Sequence, residues 1–206
     1  MQSKQHWEKV YTTKPDDGLS WFQEHAGLSL ELIGDAALPP SASIIDVGGG
    51  ASTLVDDLVA GGHGAVTVLD LSGAALAHSR ARLGDKAAAV RWLEGDITRM
   101  QLEPYQYDLW HDRAVFHFLT EPRDREAYVA QVMRAVKPGG YVIVATFAED
   151  GPLQCSGLPV ARYSPGALHA EFGAPFELVR HRREEHQTPF GTRQKFVYCY
   201  CRKLPS

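Results

Sequence analysis

The sequence predicts an α/β fold, a doubly wound sheet of seven mostly parallel strands that ends in an antiparallel hairpin. Short runs rich in Val, Ile and Leu alternate with segments of helical periodicity. This βαβ order implies parallel strands joined by right-handed crossovers. Two further β-like runs at the C-terminal end are separated only by residues 188–192, a connection too short for a crossover helix, so they should pair antiparallel.

The N-terminal 40 residues differ in character from the rest of the chain. Polar residues alternate with aromatic ones up to about residue 25, and residues 14–18 contain loop-forming Pro, Asp and Gly. A helix is predicted over 28–38, where Pro39 and Pro40 end it. We therefore expect residues 1–40 to form an arm or lid with a first helix, and residues 41–206 to form the main unit of one structural domain.

The remaining elements follow from periodicity and chain breakers. The predicted strands of the parallel part are 43–47, 65–69, 90–93, 107–110 and 141–147. The predicted helices between them are 53–60, 74–83 and 123–136, and the terminal hairpin comprises 176–185 and 195–202.

Composition narrows the function classes. The formal net charge is −4 without an obvious basic face, which argues against a nucleic-acid partner. The N-terminal residues lack the apolar region of a signal peptide, and no apolar run is long enough to span a bilayer. Three cysteines form no disulfide framework, so we expect a cytoplasmic protein without a membrane partner. The sequence leaves the oligomeric state open.

A glycine-rich turn gives the strongest functional signal. The first strand ends in Asp46, and the segment continues through Gly48, Gly49, Gly50 and Ser52. Glycines at a strand end let the backbone turn tightly and approach a ligand, and the next helix directs free N–H groups towards it. A buried acid such as Asp46 needs a cationic or hydrogen-bonding partner. The alternative is a tight turn without a ligand.

Two more acids follow the second and third strands. Asp70, with Leu71 after it, lies about twenty residues beyond the glycines, where an acid can accept both hydroxyls of a ribose. Asp96 could accept a hydrogen bond from an adenine amino group while Ile97 packs on the ring. Local roles remain as alternatives, since Asp70 could be a helix N-cap and Gly-Asp is a common turn.

These residues resemble the class I S-adenosylmethionine (SAM)-dependent methyltransferases. Asp46-x-Gly48-x-Gly50 is similar to their first motif, Asp70 to their ribose-binding acid, and Gly95-Asp96-Ile97 to their adenine-contacting turn. Lys137-Pro138-Gly139-Gly140 and the terminal hairpin are also typical of the family. The resemblance covers about residues 40–202. It implies a Rossmann-like fold, SAM as the cofactor, and a loop at 48–52 that holds the methionine part.

The methyl acceptor should lie beside the end of the fourth strand, where Asp112, His111 and His117 are the candidate catalytic residues. Asp112-Arg113-Ala114 is similar to a segment of lysine methyltransferases that act on elongation factors. We also expect Arg113 to bind the cofactor. The alternatives are a local ion pair between Asp112 and Arg113, and a packing role for His117.

Aromatic residues of the arm are candidates for a lid over the cofactor. Trp7 and Tyr11 could contact the sulfonium through cation–π interactions, or they could only anchor the arm to the core. Cys155 lies in a loop that could wall the acceptor site, but one cysteine is not a metal site. We therefore expect no metal.

Four functions are compatible with this pattern. The leading expectation is an enzyme that methylates a small metabolite, and a close alternative is a protein lysine methyltransferase. A narrow pocket would favour the metabolite, and an open acidic groove would favour the protein substrate. A nicotinamide-dependent oxidoreductase is disfavoured by Thr53, which replaces the third glycine of the dinucleotide motif, and by the terminal hairpin. A SAM-binding module without activity is the fourth.

Overall fold

A seven-stranded sheet forms the centre of the computed structural model, which describes residues 4–205. The strands of the chain are β1 (Ser43–Val47), β2 (Ala65–Asp70), β3 (Arg91–Glu94), β4 (Tyr107–Arg113), β5 (Val136–Phe147), β6 (Gln154–Cys155), β7 (Leu158–Pro159), β8 (Phe176–Gln187) and β9 (Arg193–Lys203). The sheet order is β3-β2-β1-β4-β5-β9-β8, and β6 pairs with β7 in a separate small sheet.

The pairing confirms the predicted fold class. Strands β1 to β5 pair parallel with one another, whereas β9 runs antiparallel to both β5 and β8. Central strands covered by helices on both faces are expected to be apolar throughout, and Ile44 and Ile45 of β1 are fully buried. In register, Val47 pairs with Leu69 of β2 and with Asp112 of β4, so three strands end together at one edge.

Six α-helices lie within the described residues 4–205. They are α1 (Lys4–Thr13), α2 (Gly27–Asp35), α3 (Leu54–Ala60), α4 (Gly73–Leu83), α5 (Pro122–Ala135) and α6 (Pro165–Phe172). The four predicted helices are all present, with small differences at their ends, whereas α1 and α6 were not predicted. The fifth strand also begins at Val136 and not at 141, because Val136 already pairs with Tyr107 of β4, and the register shifts before Tyr141 pairs with Leu109.

Aromatic packing attaches the arm to the carboxyl edge of the sheet. Val10, Tyr11 and Leu19 are buried against Ala51, in the loop after β1, and Ala75 of α4. Glu8 of α1 accepts hydrogen bonds from the backbone N–H groups of Gly73 and Ala74 at the start of α4 (2.7 and 3.3 Å). The arm therefore covers the edge where the glycine turn lies.

The division of the chain at residue 40 stays a prediction. Residues 1–3 of the predicted arm and Ser206 of the predicted main unit lie outside the described residues. Within 4–205, no helix has both the length and the apolar character that crossing a bilayer requires.

Candidate functional site

A crevice lies between the carboxyl edge of the sheet and the arm. Its empty space is about 770 Å³, including the open mouth. The floor comes from the ends of β1, β2 and β4 and from the loop after β3, and the roof comes from Trp7, Tyr11 and Trp21. A crevice at the carboxyl ends of parallel strands is the usual ligand site of an open α/β sheet.

Gly48 forms the turn at the floor of this crevice. Its φ is +72°, and a Cβ placed there would lie 2.0 Å from Val115 Cγ2. A Cβ on Gly49 would lie 2.4 Å from Asp46 Oδ2, and one on Gly50 would lie 2.5 Å from Asp70 Oδ2. Only glycine, which has no Cβ, allows the backbone at 49 and 50 to lie this close to the carboxylates of Asp46 and Asp70.

Asp70 presents a buried carboxyl group to the crevice. Its Oδ1 accepts a hydrogen bond from the backbone N–H of Ser72 (2.8 Å), and the residue belongs to the lining. Burial raises the pKa of Asp70 to about 7, and the nearby negative charge of Asp46 acts in the same direction. The group therefore has hydrogen-bonding capacity for a ligand with hydroxyl donors.

This raised pKa predicts how the stability of the ligand-free protein depends on pH. An unfolded aspartate has a pKa of about 3.9. Between that pH and about pH 7, Asp70 therefore keeps its proton in the folded protein but loses it on unfolding. Its stabilising contribution is therefore complete below the pKa of the unfolded state and is lost as the pH rises through about 7. Asp112, whose pKa burial raises to about 6, contributes in the same direction.

We expect the two groups to lower the free energy of unfolding between about pH 5 and about pH 8. Urea titrations of the wild-type protein and Asp70→Asn at both values measure this, and the variant should show a clearly smaller fall. An equal fall in both proteins would contradict the assignment to Asp70.

Asp46 lies next to a second hollow that shares Gly48, Tyr11 and Trp21 with the crevice. Its Oδ1 is 2.7 Å from His111 Nδ1, and His111 Nε2 is 2.8 Å from Ser29 Oγ. Asp46 is only 2 % exposed, yet its Oδ2 has no hydrogen-bond partner among the described residues. A buried carboxylate oxygen of this kind requires a donor, so the hollow suits a cationic or N–H-bearing group.

Arg113 connects the arm to the terminal hairpin. Its guanidinium donates to Tyr198 Oη (3.0 Å), to Glu184 Oε2 (3.2 Å) and to the backbone oxygen of Trp21 (3.2 Å). It also lies over the ring of Phe196, 4.2 Å from the centroid. Arg113 lines both hollows, and its role in binding the cofactor stays a prediction.

Removal of Glu184 should therefore loosen the roof. The side chains of Arg113 and Glu184 are only 9 % and 14 % exposed, and breaking such a buried pair costs about 3 kcal/mol. We expect Glu184→Ala to lower the free energy of unfolding by this amount, measured by urea titration. The matched control is Glu185→Ala on the same strand, whose exposed pair with Arg193 contributes less than about 1 kcal/mol. Equal effects would contradict the account.

The structure places the three candidate catalytic residues behind the crevice wall. Asp112 is fully buried and accepts hydrogen bonds from the N–H groups of Val115 and Phe116 and from Tyr128 Oη (2.8, 3.1 and 2.6 Å). His117 is fully buried, and burial lowers its pKa to about 3. Of the three, only His111 lines either hollow, the one beside Asp46. Their catalytic roles stay predictions, and Asp112 stabilises the turn that carries Val115.

Some of the other predicted cofactor-binding residues line the crevice or the hollow, and one stabilises a turn beside it. Leu71 and Ile97 line the crevice, and Ser52 lines the hollow beside Asp46. Asp96 does not line either one. It accepts hydrogen bonds from the N–H and hydroxyl of Thr98 (2.8 and 2.7 Å) and so holds the turn on which Gly95 and Ile97 lie.

Sequence reasoning missed several wall residues. Val115, Phe118 and Leu119 line the crevice just after β4, and Glu184 fixes Arg113 from a distant strand. The apolar run after Asp112 was a signal for the first three. The pairing of Arg113 with Glu184 had no local signal, because the partners are 71 residues apart.

The family comparison identifies a segment that contains most of this site. Residues 44–140 match the model of a methyltransferase domain. A curated relative, the ubiquinone/menaquinone biosynthesis C-methyltransferase UbiE of Ruegeria sp. (strain TM1040), is 30% identical over 115 residues. That match covers 53% of this chain and 44% of the relative, so the chain spans less than half the length of that protein.

Solved structures share the fold over most of the chain. A SAM-dependent methyltransferase from Methanosarcina mazei superposes with a TM-score of 0.70 at 18% sequence identity. The superposition covers 84% of this chain and 98% of the Methanosarcina chain. The N-methyltransferase NodS from Bradyrhizobium japonicum WM9, in complex with S-adenosylhomocysteine, superposes with a TM-score of 0.73 at 13% sequence identity. This superposition covers 98% of this chain and 99% of the NodS chain. At these identities the likeness concerns the fold.

Proposed function

We propose that this chain is a class I SAM-dependent methyltransferase, which binds SAM in the crevice and transfers the methyl group to a small molecule. The match of residues 44–140 to a methyltransferase domain and the shared fold support this proposal. The observation that carries this proposal is the pair of buried carboxylates, Asp46 and Asp70, set over glycines at the ends of neighbouring strands. One has an unpartnered oxygen and the other faces the crevice. Together they suit a ligand with an amino group at one end and hydroxyls at the other.

The wall residues fit the parts of SAM in order along the edge. Asp70 would accept the ribose hydroxyls, and Leu71 and Ile97 would pack against the adenine. Asp46 would accept the ammonium group, next to the backbone of the 48–52 loop. When bound, SAM supplies an electrophilic methyl group on its sulfonium. Trp7 and Tyr11 would close the roof over it, and Asp96 would act through the turn it holds.

The enclosed roof supports a small acceptor over a protein. Trp7 and Trp21 lie above the crevice, and Arg113 fixes the Trp21 backbone. Among the described residues, Asp70 is the one acid of the lining, which favours a small acceptor over a basic protein segment. The UbiE relative supports the same proposal, since it is a C-methyltransferase of ubiquinone and menaquinone biosynthesis. We also propose a cytoplasmic location, which the three unbridged cysteines support.

A transfer assay with methyl-labelled SAM tests the function. The purified protein is incubated with a small-molecule fraction of a cell extract or with the protein fraction, and the label is followed into each. We expect label in small molecules, and none when Asp70→Ala replaces the wild-type protein. Label in proteins alone would favour the lysine methyltransferase alternative. SAM binding without transfer to either fraction would favour the non-catalytic module.

A further inference from the structure

Apart from the residues assigned to the ribose and the adenine, much of the crevice wall is aromatic and apolar. Trp7 lies against Phe118, with ring centroids 5.2 Å apart and planes at 71°, and against Trp21, at 5.8 Å and 77°. Val115, Leu119 and Cys155 complete this part of the lining. We call these six residues the aromatic wall. These rings pack edge to face on one another, and a planar ring can contact such aromatic side chains by offset stacking or edge to face.

The lining offers no side chain that could remove a proton from an acceptor. Among the described residues that line the crevice, those that titrate are Tyr11, Asp70, Arg113 and Cys155. Asp70 is assigned to the ribose, and the guanidinium of Arg113 stays protonated. Burial raises the pKa of Tyr11 well above its usual value and that of Cys155 to about 12, so both stay protonated at neutral pH. His117 lies outside the lining.

The aromatic wall itself carries no charged side chain. Arg113, which lines the crevice beside it, is paired with Glu184, so apart from Asp70 the described lining has no unpaired charge to attract a charged acceptor. An alkyl ammonium ion would have to enter an apolar site and then lose a proton without a base. A phenol or an alkyl thiol would need the same deprotonation. A pyridine-type ring nitrogen needs neither step, because it carries a free lone pair at neutral pH.

We infer, on the basis of the proposed function, that the acceptor is a planar ring compound that attacks through a neutral ring-nitrogen lone pair. This lone pair forms the bond to the methyl carbon. The carbon–sulfur bond breaks, and its electron pair remains on sulfur. The positive charge moves from sulfur to the ring nitrogen, and no proton is transferred. The chain then contributes orientation and exclusion of water, which is the role its aromatic wall can supply.

Four bicyclic probes of similar size and shape separate this chemistry from the alternatives. They are quinoline, 2-naphthol, 2-naphthalenemethanethiol and 2-(aminomethyl)naphthalene. Binding is measured by calorimetry with S-adenosylhomocysteine present, and transfer is measured with methyl-labelled SAM. We expect quinoline to bind and to be methylated at least about tenfold faster than the other three, since a tenfold rate difference needs only about 1.4 kcal/mol.

Either of two results would overturn the inference. Methylation of the naphthol, the thiol or the amine at a rate equal to that of quinoline would show that a base is present. Binding of S-adenosylhomocysteine without binding of quinoline would show that the aromatic wall does not receive planar rings. By contrast, no binding of S-adenosylhomocysteine would contradict the proposed function itself.

A pair of variants locates the ring site. We expect Phe118→Leu to weaken quinoline binding by about tenfold, because the lost aromatic face is worth about 1 kcal/mol or more, and to leave the affinity for S-adenosylhomocysteine within about twofold. The control is Tyr105→Ala, since Tyr105 is an exposed aromatic residue outside the crevice lining. Unchanged quinoline affinity in Phe118→Leu would overturn the assignment of the aromatic wall.

Discussion

Gly48→Ala should destabilise the protein by about 3 kcal/mol and abolish measurable SAM binding. The added Cβ would lie 2.0 Å from Val115 Cγ2, and the backbone φ of +72° is unfavourable for alanine. Overpacking costs about 1–3 kcal/mol, and the left-handed conformation adds about 1–2 kcal/mol. Relief of the clash requires movement of the turn, and that turn forms the floor of the crevice.

Urea titration and SAM calorimetry measure the two effects. Val115→Ala removes the clashing methyl group, so the double variant Gly48→Ala/Val115→Ala should be less destabilised than the sum of the single variants. The matched control is Gly34→Ala, because a Cβ at Gly34 in α2 meets no atom within 4 Å and should raise stability by about 0.5–1 kcal/mol. A similar loss in both glycine variants, or strict additivity in the double variant, would contradict the described contact.

Asp70→Ala should weaken SAM binding by about 100-fold. A hydrogen bond to a charged group contributes about 1.5–3 kcal/mol, and Asp70 is assigned to two ribose hydroxyls. The folded protein should persist, because the substitution also removes a carboxyl group whose burial raises its pKa to about 7. Calorimetric titration with SAM, together with a urea titration, separates lost binding from lost folding.

Asp108→Asn serves as the matched control. Asp108 is also a partly buried acid of the sheet, but it lies near the start of β4, where it accepts hydrogen bonds from Ser43 N–H and Lys137 Nζ (2.8 and 2.7 Å). We expect the Asp108→Asn variant to bind SAM with the affinity of the wild-type protein. Full SAM affinity in Asp70→Ala would remove Asp70 from the site.

Most of the sheet was predictable because its signals are local. Each central strand is an apolar run bounded by chain breakers, and the short turn at 188–192 required an antiparallel hairpin. Helix α6 was missed although Ser164 caps it and Pro165 begins it, since eight residues give little periodicity. Helix α1 was not predicted because Val10 and Tyr11 are buried by contacts with distant segments of the chain, which the local sequence does not reveal.

The candidate site was predictable where backbone geometry dictates residue type. Gly48 and Asp70 have sequence signatures because a turn and a strand end fix their places. The role of Asp96 could not be read in the same way, because a turn acid and a ligand acid have the same local pattern. The partners of Arg113 depend on the docking of β8 beside β9, a contact between distant segments.

A crystal structure of the protein with S-adenosylhomocysteine tests the central claim most directly. The account predicts ribose hydroxyls on the carboxylate of Asp70 and the ligand's amino group on Oδ2 of Asp46. The adenine should lie between Leu71 and Ile97. A crevice that stays empty at saturating ligand, or that binds a nicotinamide dinucleotide instead, would contradict it.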